Sequence, residues 1–318
     1  MYNLIRFYNQ NRKKIFKIIL VIVFIIAIIQ LLNYFAKKQN ESDENINTNV
    51  ESNITYEQEV ISNKSAVSGT TVKGEKLQKD TEVIHDFFEY CNQGNIEQAY
   101  SVLTDECKEE MYPTLDDFKR IYYDYLFNGE KKSYTIENWT GSIYRVRITG
   151  DILSTGKLNE NETRQDYMTV VQKDGEYKLN INSYVGRTTP NKTTENKDIK
   201  ITVKSIDTYM DYEIYNLYIE NNSSNDVLLD TDDDTKAVYL LDSNEKKYYY
   251  YNNEVLQNKL LVQSKLKSNL EIKFMSSYGS TKKIKNLVFS KMILNYQEYR
   301  DLNDKKQFTD FCKFEVNI

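Results

Sequence analysis

The run from Ile15 to Ala36, IFKIILVIVFIIAIIQLLNYFA, constrains this chain more than any other stretch, because it alone is apolar enough and long enough to cross a bilayer as a helix. At about 1.5 Å per residue it would span roughly 30 Å. Arg6, Arg12, Lys13, Lys14 and Lys17 crowd its N-terminal side, whereas beyond Lys37 and Lys38 the chain turns acidic through Glu41, Asp43 and Glu44. That asymmetry predicts a cytoplasmic N-terminus over residues 1–14, a single-pass transmembrane anchor over 15–36, and extracytoplasmic domains at a cell membrane. A cleaved signal peptide fits less well, since the run ends Asn33-Tyr34-Phe35-Ala36-Lys37 without a small-residue site, and no cysteine follows to make a lipobox.

Residues 37–79 are dominated by Asn, Ser, Thr, Glu and Lys with isolated apolar positions, which predicts a disordered stalk. The net charge of -5, with basic residues scattered rather than striped, argues against a nucleic-acid partner. The wealth of Tyr, Asn, Lys and Ile beside only 2 prolines matches the residue bias of low-GC bacteria. In so Asn-rich a chain the triplets at Asn138 and Asn191 carry little weight as glycosylation sites. Only 3 cysteines are present, so the chain is no disulfide scaffold. Cys91 and Cys107 either pair or serve as small buried hydrophobes, with Cys312 left over.

Order is expected from Asp80. Val83, Ile84, Phe87, Phe88 and Cys91 recur at helical spacing before Gly94. A second helix carries Ile96, Ala99, Tyr100 and Leu103 on one face. A third, opened by Thr114 and Asp117 as a capping pair, carries Leu115, Phe118, Ile121, Tyr122 and Tyr125. The period then falls to two: Tyr144, Val146 and Ile148 alternate with Arg145, Arg147 and Thr149, and Lys173-Asp174-Gly175-Glu176 turns one strand into the next. Three helices before an antiparallel sheet predict an α+β domain over 80–186. A polar linker is expected over 187–198, containing Pro190. Short strands with regular turns then predict an all-β sandwich over 199–318.

The segment Val83-Ile84-His85-Asp86-Phe87-Phe88, followed by Gly94-Asn95-Ile96-Glu97-Gln98-Ala99-Tyr100 and the strands, resembles the nuclear transport factor 2-like cone fold of bacterial extracytoplasmic domains. Members of that superfamily that are enzymes hold an Asp or His acid/base in the cone, but no such motif carries over here residue by residue. His85 beside Asp86 reads as a helix-surface or packing residue, and Tyr122, Tyr123 and Tyr125 as core aromatics rather than pocket walls. From Ile199 to Asn295 the order of strands, Asn-Asn-Ser loop and acidic stretch is similar to the immunoglobulin-like modules of Gram-positive surface proteins. That resemblance implies a non-catalytic role.

Two stretches invite sharper readings. Asp230-Thr231-Asp232-Asp233-Asp234 opens like a calcium loop, yet Thr235 stands where such a loop needs Gly and Leu241 where it needs Glu, so a solvated acidic loop is expected. Ser-x-x-Lys occurs at Ser154, Ser243, Ser264 and Ser280 without a Lys-Thr-Gly partner, which argues against acyl transfer. No catalytic, cofactor-binding or metal-ligating residue and no cofactor is assigned. The expected function is a binding or scaffolding protein, anchored in the membrane and engaging a protein partner or cell-envelope component. The alternatives are a component of a conjugative-transfer or secretion machine, and a small-molecule or enzymatic cone pocket.

Overall fold

The computed structural model describes residues 64–150, 163–196, 198–230, 237–250, 260–280 and 282–318. Helix α1 (Gly74–Asn92) buries Asp80, Val83, Ile84, Phe87, Phe88 and Cys91, the spacing that puts one stripe of a helix against a core. It stops at Gly94, whose φ of +70° lets its own N–H return to the Cys91 carbonyl and the Asn95 N–H to that of Tyr90. Two short helices follow, α2 (Ile96–Ser101) and α3 (Asp105–Met111), the latter capped by the Thr104 hydroxyl, which accepts from the Cys107 N–H.

The third expected helix is not continuous. A single turn, α4 (Leu115–Phe118), passes into a π-helical turn at Lys119–Tyr123 and then α5 (Asp124–Leu126). The wider turn changes the phase of the helix. Tyr122 and Tyr123 both become buried, while Ile121 and Tyr125, expected on the core face, are 43% and 62% exposed.

These helices pack on an antiparallel meander of β1 (Lys132–Thr140), β2 (Ile143–Gly150), β3 (Arg164–Lys173) and β4 (Glu176–Asn180). Tyr144, Val146 and Ile148 point inward from β2, as their alternation predicts. Asp174 and Gly175, both at positive φ, close the two-residue loop between β3 and β4. The interior is aromatic: Phe87, Phe88, Phe118, Tyr122 and Phe127 are buried, with Phe87 packing edge-on against Phe118 and Tyr122 at 6.3 and 5.9 Å.

Residues 187–198, expected as a polar linker, instead hold strand. β5 (Tyr184–Thr188) and β6 (Lys192–Asn196) both pair antiparallel with β7 (Ile199–Tyr209), with Arg187 opposite Asp207 and Thr194 opposite Ile201. Composition misled here, because the β-branched Thr residues that look like a loop suit an extended backbone equally well. β7 continues the order β13-β8-β7-β5 with β8 (Tyr212–Asn221) and β13 (Lys267–Met275). A second sheet runs β11-β10-β14-β15, from β10 (Val238–Asp242), β11 (Lys247–Tyr249), β14 (Ile284–Met292) and β15 (Cys312–Asn317). The pair β9 (Val227–Leu228) and β12 (Leu261–Val262) and the helix α6 (Tyr296–Asp301) complete this half. Its core is largely aliphatic, with Ile201, Val203 and Leu217 of one sheet meeting Leu240, Leu287 and Val316 of the other. β7 serves both cores, giving Ile199, Ile201 and Val203 to this one and Tyr209 to the aromatic one.

The expectation of an α+β fold led by a transmembrane helix is therefore corrected. Strand outweighs helix, 46% against 23%, and of the helices among the described residues only α1 exceeds seven residues. Among them no helix is long and apolar enough to cross a membrane, which also counts against the single-pass membrane localisation. The apolar run Ile15–Ala36 and most of the proposed stalk lie outside the described residues.

Candidate functional site

A recess of about 420 Å³ opens where the π turn meets the edge of the meander. Ile121, Tyr122, Tyr125 and Leu126 form one wall, Ile148 of β2 and Arg164, Gln165 and Asp166 of β3 the other, and Asn182 closes one end. The π turn makes this wall, since it rolls Ile121 and Tyr125 outward from positions a regular helix would bury.

Asp166 is buried at the inner side of the recess. Its carboxylate accepts the Tyr122 hydroxyl at 3.0 Å and the backbone N–H groups of Asn182 and Ser183 at 2.9 and 3.0 Å. Asn182 and Ser183 sit at φ of +55° and +63°, an uncommon conformation for side-chain-bearing residues that aims both N–H groups at one anion. Burial pushes the Asp166 carboxyl up to about 6, against the downward pull of those hydrogen bonds. Burial and the neighbouring Asp166 charge likewise push Tyr122 well above the usual phenol range. At the rim, the Arg164 guanidinium lies 4.4 Å from the Tyr125 ring centre and its Nη1 donates to the Tyr125 hydroxyl.

A second recess of about 290 Å³ shares Tyr125, Leu126, Ile148 and Arg164 with the first and adds Asn128, Glu130 and Lys132. The two charges it adds are matched to each other, Lys132 Nζ reaching Glu130 at 2.8 Å. A third, between α3 and the β3–β4 turn, is also lined by paired charges, Lys173 with Glu106 and Lys178 with Glu176.

A different cluster ties α3 to the strands. Arg187 Nε and Nη2 reach Asp207 at 2.7 and 3.1 Å, while Nη1 and Nη2 reach Glu109 and Glu110 at 2.8 and 2.9 Å. Tyr184 and Asn216 also donate to Asp207, and Tyr209 to Glu110, whose carboxyl is raised by burial and then by the Asp207 charge. Every carboxylate in this set is bonded, so it holds the fold together, with only Glu109 largely open to solvent.

Other residues singled out from the sequence fall elsewhere. His85 hydrogen-bonds through Nδ1 to the Tyr134 hydroxyl, while Asp86 is exposed. Tyr123 is core, stacked on Phe127 at 5.6 Å; Tyr122 is buried in the core yet also lines the recess, and Tyr125 is an exposed recess wall, contrary to expectation. Cys91 and Cys107 are buried free thiols, pushed up by burial, Cys107 to about 12, and Cys312 is a half-buried free thiol. Asn138 is buried and donates to the Gly141 carbonyl, while Asn191 is exposed. Asp230 is buried and accepts the Tyr250 hydroxyl at 2.7 Å, whereas Asp232, Asp233 and Asp234 lie outside the described residues, as does Ser154. Ser243 and Ser280 are exposed turn residues, and the Ser264 hydroxyl donates to the Ser223 carbonyl. Among the described residues no group of three or more His, Cys, Asp or Glu is placed to hold a metal.

The residues that build the recess, Arg164, Asp166 and Asn182, were not singled out by sequence. The one signal available was Asp166 at an inward position of an otherwise apolar strand face, two residues before buried Met168. No family model matches this chain, and neither a curated protein nor a solved structure does.

Proposed function

We propose that this chain is a non-catalytic binding or scaffolding module, its helix–sheet half a nuclear transport factor 2-like domain and its two-sheet half an immunoglobulin-like one, engaging a protein partner or cell-envelope component. What supports the reading is the way the helical layer fills its own interior with Phe87, Phe88, Phe118 and Tyr122, so that the open volume is a surface recess rather than a deep chamber. The ionisable group in that recess points the same way. Asp166 spends three of its roughly four acceptor positions on fixed donors. An acid–base enzyme is the second reading, favoured by the upward push on Asp166 to about 6.

Incubation of the purified chain with a mixed small-molecule library, followed by proton NMR, separates the two. Saturation transfer to some components, all of them chemically unchanged after a day, is the expected result. Conversion of any component, lost in Asp166→Asn, would overturn the binding reading, as would the absence of any saturation transfer.

A further inference from the structure

We propose that the two adjoining recesses form a binding subsite for an uncharged carbohydrate of at least two pyranose rings, a proposal that rests on the binding reading above. The first argument is charge. The first recess holds one carboxylate, Asp166, and one guanidinium, Arg164; the second shares Arg164 and adds Glu130 and Lys132, bridged at 2.8 Å, so the two together carry two carboxylates and two cations. A polyanion or polycation spanning the joined recesses meets as many like charges as opposite ones, whereas a neutral polar molecule meets none of that repulsion.

The second argument is hydrogen-bond chemistry. Arg164 supplies donors, Asn182 supplies both donor and acceptor, and Asp166 keeps one acceptor position beyond its three fixed donors. A sugar hydroxyl donates and accepts at once, so it satisfies a mixed lining of this kind, which a purely apolar ligand would leave unpaired.

The third argument is the ridge between the recesses. Tyr125 is 62% exposed and belongs to both, and Arg164 steadies it through the ring contact at 4.4 Å. A rigid aromatic between two polar recesses gives the weakly apolar C–H face of a pyranose ring a surface to lie on while its hydroxyls reach to either side. The first volume, about 420 Å³, lies within the range of roughly 300–1,000 Å³ usual for small-molecule sites, and the second, about 290 Å³, extends it by a further ring.

The test is titration of the ¹⁵N-labelled chain with cellobiose and with N,N′-diacetylchitobiose, using inorganic phosphate as the charged control. Millimolar disaccharide is expected to shift the amides of Arg164, Gln165, Asn182 and Glu130, and phosphate is expected to leave them in place. Tyr125→Ala and Arg164→Gln, both on the exposed rim, are each expected to weaken binding about tenfold with the melting temperature retained, while Tyr278→Ala, an exposed tyrosine of the other half, leaves it unchanged. Should Tyr125→Ala misfold, Arg164→Gln decides alone. No shift with either disaccharide, equal affinity in the rim variants, or stronger shifts with phosphate would each overturn the proposal. A failure of that kind leaves the binding reading standing, because only conversion in the library experiment, or its silence, touches that.

Discussion

Asp166 in the helix–sheet half and Asp242 in the two-sheet half carry the same set of donors and respond in opposite directions. Asp166 accepts the Asn182 and Ser183 N–H groups and the Tyr122 hydroxyl. Asp242 accepts the Asn244 and Lys246 N–H groups and the Tyr248 hydroxyl. Burial acts upward on both. It dominates at Asp166, raising that carboxyl to about 6, but at Asp242 the Lys246 and Asn244 N–H bonds outweigh it and the carboxyl is lowered. Hydrogen bonds of the same kind and number therefore do not fix a titration; the depth of the surrounding apolar wall decides the sign. Asp166 sits behind Tyr122 and the aromatic core, whereas Asp242 closes an exposed turn formed by Ser243, Asn244 and Glu245.

The most direct way to break this contrast is to open the wall. Phe87→Ala removes the ring packed 5.9 Å from Tyr122 and is expected to cost about 3–5 kcal/mol in denaturant unfolding. In the fraction that still folds, the Asp166 midpoint, followed by carboxyl ¹³C shift, is expected to fall toward the ordinary carboxylate range. A midpoint still near its original value would mean that the donors, not the depth, set it.

The next effect is on stability against pH. A carboxyl raised in the folded state contributes stability that is full below its unfolded value, near 4, and is lost as pH rises through about 6; Asp166 should thus cost the fold about 2–3 kcal/mol over that window. Asp242, lowered in the folded state, contributes stability that is present above its unfolded value and is lost as pH falls through its folded one. Asp166→Asn is expected to remove the loss between pH 4 and 6, and Asp242→Asn to remove part of the loss below 4. The slopes of chemical-denaturation stability against pH carry the answer, since both amides also shift the baseline. Equal slopes in wild type and Asp166→Asn would sink the assignment.

Smaller effects sharpen the comparison. Tyr122→Phe and Tyr248→Phe each remove one hydroxyl donor, and the loss costs more at Tyr122, buried in the aromatic core, than at half-exposed Tyr248, where water can take the hydroxyl's place. About 1–3 kcal/mol is expected for the first and under about 1 kcal/mol for the second. Both should raise the midpoint of their aspartate. Smallest of all, Lys246→Ala takes an exposed cation from beside Asp242 and is expected to change stability by no more than about 0.5 kcal/mol, an effect that vanishes in high salt.

The two aspartates also differ in how far the sequence announces them. Asp242-Ser243-Asn244-Glu245 reads as a turn from local chemistry alone, because its two backbone donors lie within four residues, its hydroxyl donor only six away, and Asp favours such turns. Asp166 draws its hydroxyl donor from Tyr122, 44 positions earlier, across a π turn that no periodicity rule predicts. The same division holds for the fold. α1 and the inward face of β2 follow from spacing, whereas the pairing of β6 with β7 depends on Thr-rich residues whose partners, not their composition, make them strand. The phase of Ile121 and Tyr125 was misjudged for a related reason, since a helical wheel assumes an unbroken turn.

Because β5 lies on one side of the Thr189-Pro190-Asn191 bend and pairs with β7 on the other, a nick in that bend would not part the molecule. The two pieces would run as separate bands in detergent and as one peak on a native column, held by the β5–β7 ladder and by the grip of Arg187 on Asp207. Expressed from separate genes, fragments ending and beginning at that bend should find each other, the later one giving Tyr209 to the aromatic core that the earlier one cannot close alone.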